Sequence, residues 1–364
     1  MPRLPTSCDL SKPDYRRAAA MLNAPAVNTS LCPLHMGGRC ARCMTVCPSD
    51  AIDLRDGPAI RADSCRNCGA CASVCPTGAL VHDAPAALLR SLAERPDAPQ
   101  ALRCPKAGRC APDELPVPGC LSSLGLETLL ALWRRQKGTV TFLTGNCAAC
   151  RIGDEGTTFR RVLEQARSIL AKSTDAPKKP FIVKTWSPKD APSRRESDVS
   201  LSRRGFLGFL AGGHTASSGS GSSSTKNEGG KRHQLAGHLK ALNAKGPAPE
   251  GLAFAMMRGD GHCTACGACA NVCATGAIRL TGEDSLRALE FISALCVDCG
   301  ACVNVCLPRF LHPYPPDLAS FSLSPHTLFQ GETGTCKRCR AKTTALDENG
   351  YCPVCSRRIQ AMRD

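Results

Sequence analysis

Cys65-Arg-Asn-Cys68-Gly-Ala-Cys71-Ala-Ser-Val-Cys75-Pro76 decides the reading of this chain. The same spacing returns at Cys263-x2-Cys266-x2-Cys269-x3-Cys273 and at Cys296-x2-Cys299-x2-Cys302-x3-Cys306. A further copy, Cys40-x2-Cys43-x3-Cys47-Pro48, keeps three of its four cysteines and has Gly37 where the first belongs. Three thiols in one tight loop can wrap one face of a polynuclear cluster, and the fourth ligand must come from elsewhere. Zinc favours separated cysteine pairs over three cysteines in one loop. Disulfides suit a secreted chain, but no apolar stretch of the signal kind comes after Met1-Pro-Arg-Leu-Pro-Thr. The runs read as iron–sulfur ligands.

Residues 31–82 and 258–312 each resemble the bacterial 2[4Fe–4S] ferredoxin family. The resemblance rests on the runs and on the residues directly after them: Cys47-Pro-Ser-Asp-Ala-Ile, Cys75-Pro-Thr-Gly-Ala-Leu and Cys273-Ala-Thr-Gly-Ala-Ile. It departs at Ala274, where proline is usual, and at the Cys306-Leu-Pro-Arg-Phe ending. In two-cluster ferredoxins the fourth cysteine of a run ligates the other cluster. The resemblance therefore implies one set of Cys263, Cys266, Cys269 and Cys306, and a second of Cys296, Cys299, Cys302 and Cys273. A third set is Cys65, Cys68, Cys71 and Cys47. The last has Cys40, Cys43 and Cys75, and Cys32 is expected to complete it. If Cys32 points away, a [3Fe–4S] cluster or ligation by His35 takes its place.

Composition agrees. The chain has 364 residues, 26 cysteines and only 4% aromatic residues, so small modules depend on their metal centres to fold. No apolar stretch is long enough to cross a bilayer. The formal charge is +15. Four clusters and one zinc tetrathiolate carry about −10, which leaves about +5. The basic excess is thus largely local compensation and poor support for nucleic-acid binding. Oxygen-sensitive centres imply a reducing, cytoplasmic setting and an anaerobic organism.

Residues 98–186 alternate as a small α/β domain. Ala101–Cys104, Val140–Leu143 and Phe181–Thr185 are strand candidates. Leu121–Trp133 and Phe159–Leu170 have helical apolar spacing. This pattern implies a parallel sheet with right-handed crossovers. Cys104, Cys120, Cys147 and Cys150 then gather outside the carboxyl ends of its strands, with Cys110 nearby. Val117-Pro-Gly-Cys120 and Gly145-Asn-Cys-Ala-Ala-Cys150 resemble the iron–sulfur subunit of methyl-viologen-reducing hydrogenases, which associates with heterodisulfide reductases. That resemblance implies a fifth iron–sulfur centre on those four cysteines. A zinc site, a redox thiol pair or inert thiols are the other readings.

Residues 187–250 read as a flexible basic linker, with low complexity at Ser217–Thr225. Ser202-Arg-Arg-Gly-Phe-Leu-Gly-Phe-Leu210 matches a twin-arginine export string but stands internally, so it reads as a docking segment. Cys336-x2-Cys339 and Cys352-x2-Cys355 read as a C-terminal zinc ribbon holding one Zn2+.

The expected fold class is α+β. It comprises an N-terminal extension (1–30), a first 2[4Fe–4S] module (31–85), the α/β middle domain (98–186), the linker, a second module (251–316) and the ribbon (332–358). No dinucleotide fingerprint, phosphate loop or catalytic triad stands out. The expected function is a non-enzymatic electron carrier with four [4Fe–4S] clusters, serving as a subunit of a larger redox complex. Its expected partners are donor and acceptor oxidoreductases, such as hydrogenase or heterodisulfide-reductase-like enzymes, with peripheral membrane docking as a further option. The rival readings are a redox-sensing regulatory or assembly protein, and an oxidoreductase acting at the middle cysteines.

Overall fold

The computed structural model describes residues 24–95, 97–108, 111, 113–136, 138–173, 179–187, 230–283 and 285–362. Cys110, the Ser202–Leu210 string and the Ser217–Thr225 run lie outside them.

The first module is built from very short elements. Strand β1 (Ala26–Val27) precedes helix α1 (Arg42–Thr45), the pair β2 (Ile52–Asp53) and β3 (Ala59–Ile60), helix α2 (Ala70–Val74) and strand β4 (Leu80–Val81). β1 closes on β4 antiparallel, with Ala26 opposite Val81, and β2 pairs with β3. Cys32, Cys43, Cys71 and Cys75 belong to this module's small core, beside Ile52 and Leu80. So few apolar side chains give the thiol sets a structural role as well as a chemical one.

Helix α3 (Asp83–Ala93) leads into the middle domain, its N-terminus capped by His82. Next come strands β5 (Ala101–Arg103) and β6 (Glu114–Pro116), helix α4 (Leu126–Gln136), strand β7 (Val140–Thr144), helix α5 (Thr157–Leu170) and strand β8 (Phe181–Thr185). All four strands are parallel, in the order β6-β5-β7-β8. The Phe142 ring meets Phe159 edge-on and Phe181 at a tilt. Strand β6 carries no sequence expectation, because a three-residue strand ending in proline has little pattern. The continuous helix expected over Leu121–Trp133 is broken: Leu121–Ser123 is a 3-10 turn and α4 begins only at Leu126. A Cβ at the intervening Gly125 would lie 2.5 Å from the Glu127 carboxylate.

The expected linker is corrected over its last part. Residues 231–242 form helix α6 (Lys231–Leu242), which buries Leu235, Ala236, Leu239 and Leu242 and packs on α4. These side chains join the middle domain and the second module in one continuous core. The middle domain and the second module are therefore not joined by a free linker alone.

The second module has strand β9 (Met256–Gly259), helix α7 (Ala268–Asn271), strands β10 (Ile278–Gly282) and β11 (Leu286–Phe291), helix α8 (Ala301–Val305) and strand β12 (Leu311–Tyr314). β9 pairs with β12, as β1 does with β4. A further strand, β13 (His326–Glu332), adds to β11 and carries this sheet past the expected boundary at 316. The short pair β14 (Gly334–Thr335) and β15 (Lys342–Thr343) and helix α9 (Pro353–Gln360) end the chain. No helix among the described residues is long and apolar enough to cross a membrane.

Candidate metal centres

Each complete cysteine run has the same local geometry. Asn67, Ala265 and Asp298, one before the second cysteine, have φ of 55°, 50° and 54°. Gly69, Gly267 and Gly300, one after it, have φ of 73°, 78° and 73°. Glycine is the residue that takes this conformation without cost. The alternation curls the loop, and the third cysteine then enters a short helix at α2, α7 or α8.

The loops bring the cysteines together as the ligand sets require. Cys43 lies close enough to Cys75, Cys40 and Cys32 for their charges to interact. Cys71 interacts in the same way with Cys68 and Cys47, and Cys68 with Cys65. Cys269 neighbours Cys263, Cys266 and Cys306, and Cys302 neighbours Cys296, Cys273 and Cys299. Cys32 is buried within its set, despite Gly37 at the usual position. His35 is exposed and its ring stands over Gly57.

Charge on the sulfurs is anticipated by the backbone. The N–H groups of Ala51, Ala277 and Phe310 donate to the Sγ atoms of Cys47, Cys273 and Cys306 at 3.2, 3.2 and 3.3 Å. Asn67 and Ala265 donate to Cys65 and Cys263 at 3.4 Å. Burial pushes the thiols of Cys43, Cys71 and Cys269 up to about 12, and neighbouring thiolates add to the effect. Such crowded, buried thiols ionise together only around bound cations, which deprotonate coordinating thiols outright. The residues fit iron–sulfur centres.

The middle-domain cysteines also converge. Cys104 comes directly after β5, Cys120 precedes the 3-10 turn, and Cys147 and Cys150 come after β7. Cys104 interacts with Cys120 and with Cys147, and Cys147 with Cys150. The amides of Lys106 and Ser122 donate to Cys104 and Cys120 at 3.4 and 3.5 Å. Asp154 had no sequence signal. It accepts from the Ser122 hydroxyl and from the Thr158 amide, each at 2.8 Å. Burial opposes its charge, but these hydrogen bonds hold its carboxyl below the usual range. Its charge acts on both Cys68 of the first module and Cys147.

The C-terminal site is tighter. The Sγ atoms of Cys336, Cys339, Cys352 and Cys355 lie within 4.8 Å of one another. Cys339 and Cys352 are 3.7 Å apart, against an edge of about 3.8 Å for a tetrahedron with Zn–S bonds of about 2.3 Å. Backbone N–H groups of Cys339 and Cys352 hold the Cys336 thiol below its ordinary value. Among the described residues no other group of such donors is gathered that closely.

The 4Fe-4S dicluster domain family matches residues 38–79 and again 262–309. An uncharacterized ferredoxin of Methanocaldococcus jannaschii is 37% identical over 59 residues, which is 16% of this chain and 90% of that protein. A ferredoxin named 7Fe from Hydrogenibacillus schlegelii is 43% identical over 49 residues, 13% of this chain and 63% of that protein. Paired cysteine loops on ferredoxin-type folds define an iron–sulfur electron-transfer protein. The chain belongs to the 4Fe–4S ferredoxin family, and both family matches fall within its two modules.

Proposed function

We propose that the chain is an electron relay with five iron–sulfur centres in series and a structural zinc ribbon at one end. The observation that carries this reading is the order in which the cysteine sets neighbour one another. Starting at Cys263, Cys266, Cys269 and Cys306, Cys269 lies beside Cys302 of the second set. Cys299 of that set lies beside Cys40 of the third. Cys43 of the third lies beside Cys71 of the fourth. Cys68 of the fourth lies beside Cys120 of the middle-domain set.

Each set, when loaded, supplies a centre that accepts and returns one electron. The chain's own residues do the rest. They hold neighbouring sets close to one another, leave only Cys266 of these cysteines exposed and donate N–H groups to several of the sulfurs, which favours charge on sulfur. Cys32 supports a four-iron reading of the third set. Gly37 at the usual first-ligand position makes a three-iron centre the second reading there. Redox enzymes at the two ends are the proposed partners.

An oxidoreductase reading has one observation of its own. A cavity of about 820 Å³ opens beside Cys147, lined by Lys106, Asn146, Phe159, Arg160 and Trp186. Anaerobic reduction by a low-potential donor, with no turnover of disulfide or other small-molecule acceptors, favours the relay. Turnover that disappears in Cys147→Ser favours the enzyme.

A further inference from the structure

Arg232 is buried to 6% exposure on the first turn of α6, a helix outside both family matches. Its guanidinium donates only to backbone carbonyls and forms no ion pair among the described residues. Nε donates to Ala294 O at 2.6 Å, Nη1 to Ala253 O at 2.8 Å and Nη2 to Cys296 O. The Phe321 ring covers the charge at 4.7 Å. Among the described residues the other buried arginine, Arg103, meets Glu114 at 2.5 Å. Burying a charge away from water costs several kcal/mol unless an opposite charge compensates it. The guanidinium stays protonated in protein interiors. The ionisable side chains that act on it are Cys296 and Arg42, the latter of the same sign.

We propose that Arg232 is the buried counter-ion of the iron–sulfur centre held by Cys273, Cys296, Cys299 and Cys302, and that it raises this centre's reduction potential above the value the cysteines alone would set. This rests on the iron–sulfur reading of that set. Four thiolates around a four-iron core of charge +2 total −2, and one added electron makes the core +1 and the total −3. A fixed cation nearby stabilises the more negative state, so it favours reduction. The set stands where the two modules meet, beside Cys40. Arg232 therefore makes the junction a place where an electron rests rather than a barrier.

The test is a dithionite titration of the full chain, read by EPR, in Arg232→Gln and Arg232→Lys. Cys299→Ser, whose oxygen ligand alters that centre's spectrum, identifies the relevant step. Iron content is measured first on the unaltered chain, so that a missing centre is distinguished from a missing Arg232 effect. In Arg232→Gln one reduction step moves to lower potential while the others stay. The shift survives ~1 M salt, which screens surface charges but not buried ones. Arg232→Lys keeps the step near its original value, and Lys240→Gln, on the exposed side of the same helix, moves nothing. Unmoved steps in a fully loaded Arg232→Gln overturn the proposal. So does an Arg232→Lys protein that loads fully and titrates as low as Arg232→Gln. Should Arg232→Gln fail to load, the lysine variant decides alone: a preserved step supports the charge and a lowered one rejects it.

Discussion

The backbone amide of Arg39 donates to the carbonyl of Cys299 at 2.7 Å. One hydrogen bond thus ties the loop after Gly37 in the first module to a ligand residue of the second. Next to it, a Cβ at Gly38 would stand 3.0 Å from the Cys299 Cβ, 3.1 Å from its Sγ and 2.9 Å from Pro33 O. The two modules approach so closely because position 38 has no side chain.

Gly38→Val therefore acts on the junction. Overpacking of this kind costs about 1–3 kcal/mol, and the modules must separate to relieve it. The variant keeps its iron, melts earlier and passes electrons between modules more slowly after pulsed reduction. Unchanged transfer kinetics would show that electrons do not cross here.

Cys32→Ala removes one ligand from a set that otherwise holds Cys40, Cys43 and Cys75. One iron is lost, and an EPR signal of a three-iron centre appears in the oxidised protein. His35→Ala leaves iron and spectrum unchanged, because that ring lies over Gly57. An unaltered spectrum in Cys32→Ala would remove Cys32 from the ligand set.

In the middle domain, Cys120→Ser lowers the iron content by the content of one centre and leaves the ferredoxin-type sets loaded. Equal iron in variant and parent would mean that the four thiols hold no cluster. Phe142→Ala weakens the same domain differently. It empties the centre of the parallel sheet and costs about 3–5 kcal/mol, read as a lower unfolding midpoint.

The ribbon touches the outermost set through threonines. Thr344 Oγ1 donates to Cys263 O, and Thr343 Oγ1 donates to Thr264 O at 3.0 Å. Cys339→Ser takes zinc from one per chain to none and leaves iron unchanged. Structural zinc supplies about 10–16 kcal/mol of folding free energy in small domains, so residues 334–360 become sensitive to protease. Resistance after zinc loss would contradict a structural role for the metal.

The cysteine runs of the two modules were legible because the spacing that the 4Fe-4S dicluster family shares is local in the sequence. Gly37 broke the pattern; Cys32, eight residues before Cys40, was the expected replacement, and the fold buries it near Cys40 and Cys75. Cys104, Cys120, Cys147 and Cys150 were legible as a group, since each borders a strand or turn of the parallel sheet. What the sequence hid depends on packing between distant segments. Helix α6 stands after a polar, low-complexity run, and its burial arises from contact with α4 and the second module. Arg232 reads as one more basic residue until Cys296 and Phe321 surround it. Asp154 gains its meaning only where α2, carrying Cys71, meets the turn after Cys120.

The relay stands or falls on how many irons one chain holds. Iron and acid-labile sulfide, measured on intact protein purified without oxygen, are expected at about 16 per chain from four four-iron centres, plus about 2 to 4 from the middle-domain set. A value of about 16 or below would contradict a series of centres running from Cys263 to Cys150.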